Sequence, residues 1–430
     1  MDRMISVYIH IPFCIKKCGY CDFLSFSVRQ YRDQRMSVTE GDGGEGVPEE
    51  YLHRLRREIR REGCAYAGRK VDTVFIGGGT PSLMMPEQAE TLLKEIYQSF
   101  QVVSDAEITM EANPGTLTKE KLKGYRRIGV NRLSIGLQSA DDQELEALGR
   151  IHKFREFQEN YEAARDCGFR NINIDLMSGL PGQTVKSWIH TLDTAVKCAP
   201  EHISAYGLII EEGTPFYQRY GMDGTADRDG YKASGEERNR EAGKKRQGQL
   251  PSEEAERLMY HETKAVLEEY GYRQYEISNY AKPGFECRHN IGYWTRKEYV
   301  GFGPGAASMI CNQRWKNTSD LKKYMKCTDS RDETGRKNEI WGNAVLLKED
   351  MQTLTVQEQM EETMFLGLRM NRGVSKTEFK ELYGVEIKEV YGAWLCRMAA
   401  EGLLIDGDSV CLSERGRDLA NYVMAGFLLD

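Results

Sequence analysis

Six times in its first two hundred residues the chain passes from a short run of β-branched and aromatic residues to a longer amphipathic run. That alternation restricts the fold more than any other feature. The short runs lie at 6–10, 73–76, 107–111, 132–138, 171–176 and 202–208, each ending near Gly, Pro, Asn or Cys as strands do. Residues 49–61 follow Pro48 and carry Leu52, Leu55 and Ile59 at helical spacing. Residues 87–100 follow Pro86 with Leu92, Leu93 and Ile96, and 119–128 follow Thr118, a good N-cap. Asp141 with Glu144 reads as a capping box, and helical patterns at 154–167 and 185–198 complete the set. Strand–helix units joined by right-handed crossovers give a parallel sheet. Six of them suit an α/β fold built as a six-stranded partial (β/α)6 barrel, with its chemistry at the C-terminal ends of the strands.

Composition narrows the class. Of 430 residues 40% are hydrophobic and 29% charged, enough for a large core and too apolar for global disorder. A net charge of −7 argues against a nucleic-acid binder. No run approaches the ~18 apolar residues of a membrane span, and the start lacks the apolar core of a signal peptide. The expectation is a cytoplasmic protein, not membrane-spanning, with room for a peripheral membrane contact. Eleven cysteines, an odd number, then read as thiols or ligands rather than a disulfide framework.

Two stretches break the alternation. Residues 33–48 are rich in Gly and acid, and 223–249 contain no Ile, Leu, Val, Met, Phe or Trp. Neither buries enough apolar surface to offset ordering, so both read as surface insertions. Beyond them 252–270 reads as a helix and 273–278 as a strand. From about residue 355 helical patterns at 357–368, 376–382 and 389–401 precede strands at 403–405 and 409–412. The expected organisation is a core at 1–215, a charged insertion at 216–250, an extension at 251–354 and a small winged-helix-like α+β domain at 355–430.

The strongest chemical signal is Cys14-Ile15-Lys16-Lys17-Cys18-Gly19-Tyr20-Cys21, three thiols within eight residues directly after the first strand. Three thiolates ligate three irons of a [4Fe–4S] cube and leave the fourth iron open. Lys16 and Lys17 help offset the negative charge. Structural zinc needs four closed ligands, and the chain offers no second matching pair nearby. A cluster of inert buried cysteines is the other alternative. Further on, Gly77-Gly78-Gly79-Thr80-Pro81 follows strand two, where glycines serve a tight turn or, as the alternative, expose N–H groups that can bind a carboxylate or phosphate. Glu111 ends strand three, Gln138 ends strand four, and Arg150 follows in Leu148-Gly149-Arg150. Asp175 sits between Ile174 and Leu176, costly to bury unless paired, for which an arginine of the barrel is the structural alternative.

The Cys-x-x-x-Cys-x-x-Cys spacing, with an aromatic before its last thiol and Tyr8-Ile9-His10-Ile11-Pro12-Phe13 before its first, resembles the radical S-adenosylmethionine (SAM) superfamily. Within it the chain is similar to the coproporphyrinogen dehydrogenase and heme chaperone HemW group over nearly its whole length. The resemblance implies a [4Fe–4S] cluster on Cys14, Cys18 and Cys21, and SAM contacts at Tyr8, Tyr20, Gly78, Gly79, Thr80, Glu111, Gln138, Arg150 and Asp175. Some relatives hold a second SAM, so one molecule or two stays open.

Two departures separate the functions within that group. The dehydrogenases resemble Cys-x-x-x-Cys-x-x-Cys-x-Cys, whereas here the last position is Phe23. In contrast, His289-Asn290-Ile291-Gly292-Tyr293-Trp294 matches the His-Asn-x-x-Tyr-Trp motif associated with the chaperones. It implies heme binding through His289, with Cys287 two residues earlier as a weaker thiolate alternative. Ala307 stands where those relatives usually have His. The expectation is a heme chaperone with a SAM-ligated cluster, a heme-acceptor protein and an electron donor. The alternatives are a radical SAM enzyme acting on a porphyrinogen, a radical SAM methyltransferase, and a protein whose cluster is only structural.

Overall fold

The computed structural model describes residues 4–33, 46–66, 68–221, 248–326 and 347–429. Most of both expected insertions falls outside the described residues. Six strands run in chain order: β1 Ile5–Ile11, β2 Lys70–Gly78, β3 Gln101–Ala112, β4 Arg132–Gln138, β5 Ile172–Ser178 and β6 His202–Gly207. Each pairs in parallel with the next, for example Val7 with Val74, Ile76 with Met110 and Ile135 with Ile174. Helices Glu49–Gly63, Pro86–Ser99, Lys119–Arg127, Phe154–Asp166 and Val185–Lys197 fill the crossovers where the sequence pattern places them. Their apolar stripes (Leu52, Leu55 and Ile59; Leu92, Leu93 and Ile96) bury against the sheet. Thr118 caps its helix by accepting from the Lys121 N–H.

Two local expectations are corrected. Asp141 caps its helix by accepting from the Gln143 and Glu144 N–H groups. The Glu144 carboxylate, however, turns inward to Ser139, Gln183 and Ser187, so no reciprocal capping box forms. The sheet also exceeds six strands. β7 Arg273–Glu276 and β8 Asn279–Ala281 extend it past β6 as antiparallel strands. At the other edge β9 Tyr299–Phe302 lies parallel to β1, followed by antiparallel β10 Ala307–Ile310, β11 Gln313–Asn317 and β12 Lys348–Thr353. Twelve strands thus form one sheet. β7 lies within the strand expected at 273–278; the other added strands are short, and β9 is interrupted by Gly301, so they carry too little alternation to stand out in sequence.

A second apolar cluster contains Met364, Phe379, Leu395, Met398, Leu404, Val410 and Phe427. Around it lie helices Val356–Gly367, Lys376–Tyr383 and Ile387–Ala400, and a sheet of β13 Val374–Ser375, β14 Leu404–Asp406 and β15 Ser409–Leu412 with β15 central. This unit is tied to β7: the Asn371 N–H donates to the Tyr275 carbonyl at 3.0 Å, and Arg369 pairs with Glu276 at 3.3 Å. No helix among the described residues is long and apolar enough to cross a membrane.

Candidate functional site

The three clustered thiols sit where β1 leaves the sheet. Phe13–Cys14 pairs in parallel with Phe26–Ser27 and closes the loop that carries Cys18 and Cys21. The Cys14 Sγ faces the Thr80 hydroxyl at 3.5 Å, and the Cys18 Sγ faces the Arg150 Nη1 at 3.8 Å. Burial pushes the Cys14 thiol up and takes Cys21 to about 11, with Cys18 adding to both. Thiolates here need added positive charge, which iron supplies. Among the described residues no three His, Cys, Asp or Glu side chains converge on one ion; a cube spreads its ligands over three irons. Donors aimed at two sulfurs, and a buried Arg150 Nε without a partner, fit such a group.

The glycine segment departs from expectation. Its N–H groups are not exposed: Gly78 donates to the Glu111 Oε2 at 3.0 Å, Gly79 to the Ile11 carbonyl at 2.8 Å and Thr80 to the Phe13 carbonyl at 2.7 Å. No carboxylate can take those three donors without displacing a protein acceptor. What requires glycine is crowding. Gly78 has φ +116°, and a Cβ on Gly79 would meet the Phe13 carbonyl oxygen at 2.6 Å.

Across the sheet a cavity of ≈ 240 Å³ opens between the strand ends. Tyr8, Gly78, Glu111 and Asp175 line it, together with His289, so candidate SAM and heme residues share one wall. The Tyr8 hydroxyl bonds to the His10 Nδ1 at 3.0 Å. Burial, then the nearby Asp175, pushes the Glu111 carboxyl up to about 8. Among the described residues no ion pair holds Asp175, which departs from that expectation, although Arg132 acts on it through charge. Its carboxylate accepts from the Asn173 Nδ2 at 2.7 Å and the Ser134 hydroxyl at 3.1 Å. Burial still raises its pKa.

Thr80 and Arg150 line a second, smaller cleft with Cys18. Arg150 donates to the Asn113 Oδ1 and the Gly136 carbonyl, both at 2.8 Å. Gln138 adopts φ +72° beside a bulge in the β4–β5 pairing. A left-handed backbone at a non-glycine residue is costly and concentrates at functional sites. Tyr20 packs against Phe216, ring centroids 6.2 Å apart.

His289 lies on the helix Arg288–Trp294. The Glu107 carboxylate caps that helix, accepting from the Arg288 and His289 N–H groups at 3.1 Å each. Both ring nitrogens are engaged, Nδ1 with the Thr73 hydroxyl at 2.9 Å and Nε2 with the Tyr293 hydroxyl at 3.0 Å. Burial, then Lys297, lowers its pKa to about 3, so the ring is neutral. Cys287 is fully buried, its thiol donates to Glu107, burial pushes it to about 12, and it does not line the cavity. Asn290 and Tyr293 face the cavity, whereas Trp294 lines a separate groove under Arg369. Ala307 is exposed at the start of β10, away from the cavity lining.

Sequence reasoning missed Glu107, Asn113, Asn173 and Arg132. Each is polar at the end of, or inside, an apolar strand, the same signal that singled out Asp175.

Comparison with known proteins adds the family. A model described as the radical SAM superfamily matches residues 8–195, and one described as the HemN C-terminal domain matches residues 354–419. The chain is 37% identical over 427 residues to the heme chaperone HemW of Bacillus subtilis, covering 99% of each. It is 37% identical over 306 residues to the HemW of Escherichia coli, covering 71% of this chain and 70% of that one. The solved coproporphyrinogen III oxidase HemN of Escherichia coli superposes with a TM-score of 0.77 over 99% of this chain and 90% of that chain. At 24% identity that likeness shows the fold alone. The radical SAM family implies a [4Fe–4S] cluster and SAM, for which the thiol loop is suited. By full-length similarity the chain belongs to the HemW family of the radical SAM superfamily.

Proposed function

We propose that this chain binds heme and passes it to an acceptor protein, while Cys14, Cys18 and Cys21 hold a [4Fe–4S] cluster whose open iron binds SAM. The observation that carries the reading is end-to-end similarity to proteins named heme chaperone HemW, at 37% identity over 99% of both chains. Phe23 in place of a further thiol supports it against porphyrinogen oxidation. In this reading Tyr8, Tyr20, Gly78, Gly79, Thr80, Glu111, Gln138, Arg150 and Asp175 hold SAM, and His289 meets heme. Ligation by His289 requires one of its two hydrogen bonds to open. Tyr293, one turn along and on the cavity wall, is the partner best placed to let go. The partners implied are a heme acceptor and an electron donor for the cluster.

The test is an anaerobic preparation with reconstituted cluster, titrated with heme. Stoichiometric uptake, weakened in His289→Ala with the cluster chromophore intact, is the expected result. Absence of heme binding overturns the proposal. Decarboxylated product from coproporphyrinogen III with SAM and reductant overturns it as a chaperone-only reading.

A further inference from the structure

Arg132 opens β4 and is 2% exposed, yet it lines the ≈ 240 Å³ cavity. Its Nε is buried without a hydrogen-bond partner among the described residues, and Glu107 and Asp175 act on the guanidinium through charge alone. A buried N–H donor left without an acceptor is costly. The acids around it already have hydrogen-bond donors. Glu107 accepts from Cys287, Arg288 and His289, and Asp175 from Asn173 and Ser134. Arg132 thus keeps at least its Nε–H donor free for an acceptor in the cavity, and a guanidinium fork binds a carboxylate through two parallel bonds.

We infer that Arg132 anchors a ligand carboxylate in this cavity, and that the carboxylate is a propionate arm of the tetrapyrrole. The inference rests on the heme reading above and gives it a second contact, separate from His289. Size favours an arm: ≈ 240 Å³ falls below the ~300–1,000 Å³ of pockets that enclose whole drug-sized ligands. The macrocycle stays at the mouth. There Phe23, 69% exposed, and Tyr206, 37% exposed, offer apolar surface to a flat ring. The methionyl carboxylate of SAM is the other source of the same chemistry. The exposed aromatic lip favours the tetrapyrrole.

The test uses the full chain with its cluster reconstituted. Wild type, Arg132→Lys and Arg132→Met are titrated with heme and with heme dimethyl ester, whose propionates carry no charge. Wild type is expected to bind heme about tenfold to a hundredfold more tightly than the diester, the worth of one charge-assisted pair. Arg132→Met is expected to lose that preference, and Arg132→Lys to keep part of it. If Arg132→Met does not fold, the wild-type preference and Arg132→Lys decide the question. Equal affinity of wild type for heme and diester overturns the anchor and leaves the heme reading standing. Binding of neither overturns both. Weaker SAM binding in Arg132→Met with heme preference intact assigns the carboxylate to SAM and overturns the inference.

Discussion

Glu111→Gln separates the electrostatics of the cavity from its packing. Gln has nearly the same shape, and its carbonyl oxygen can still accept from the Gly78 N–H, which Glu111 meets at 3.0 Å. In the folded protein, burial and then Asp175 raise Glu111 from an ordinary 4.5 to about 8. Its protonated form is therefore favoured by folding. The resulting stability is complete below pH 4.5 and is lost as pH rises toward 8, because over that window the folded chain binds more protons than the unfolded one. At ~1.4 kcal/mol for each pH unit crossed, the full loss is about 5 kcal/mol, of which about 3 to 4 falls between pH 5 and pH 8. Gln pays no such penalty. In urea unfolding of the ligand-free chain, Glu111→Gln should match wild type near pH 5 and exceed it by about 3 kcal/mol at pH 8. A difference that stays constant between those pH values, or a less stable variant at the upper one, would refute the reasoning.

Serine at Cys14, Cys18 or Cys21 should abolish the brown chromophore of the reconstituted protein, whereas the other eight cysteines should each be replaceable without that loss, as read by absorbance and bound sulfide. Cys287 should resist a thiol reagent in native protein and react only on unfolding, since it is 0% exposed and its thiol stays protonated; rapid native labelling would contradict its burial. Gly79→Ala should cost about 1–3 kcal/mol and lower cluster yield, because the new methyl meets the Phe13 backbone next to Cys14; an unchanged urea midpoint and yield would show that this crossing yields easily.

Local sequence patterns specify the parallel core and the loop that carries the three neighbouring thiols. β4 begins and ends at Arg132 and Gln138 as its pattern predicts, and five crossover helices lie where apolar spacing and caps place them. Those signals are local: period, capping and thiol spacing act within a few residues. Long-range packing set the rest. It set β9 beside β1 across nearly three hundred residues, brought His289 to the wall that Tyr8 and Glu111 line, and engaged the glycine N–H groups with protein acceptors. It also buried Cys287 and left the Arg132 Nε without a hydrogen-bond partner among the described residues. Hydrogen-bond satisfaction and desolvation depend on which distant residues converge, and no local pattern encodes that convergence.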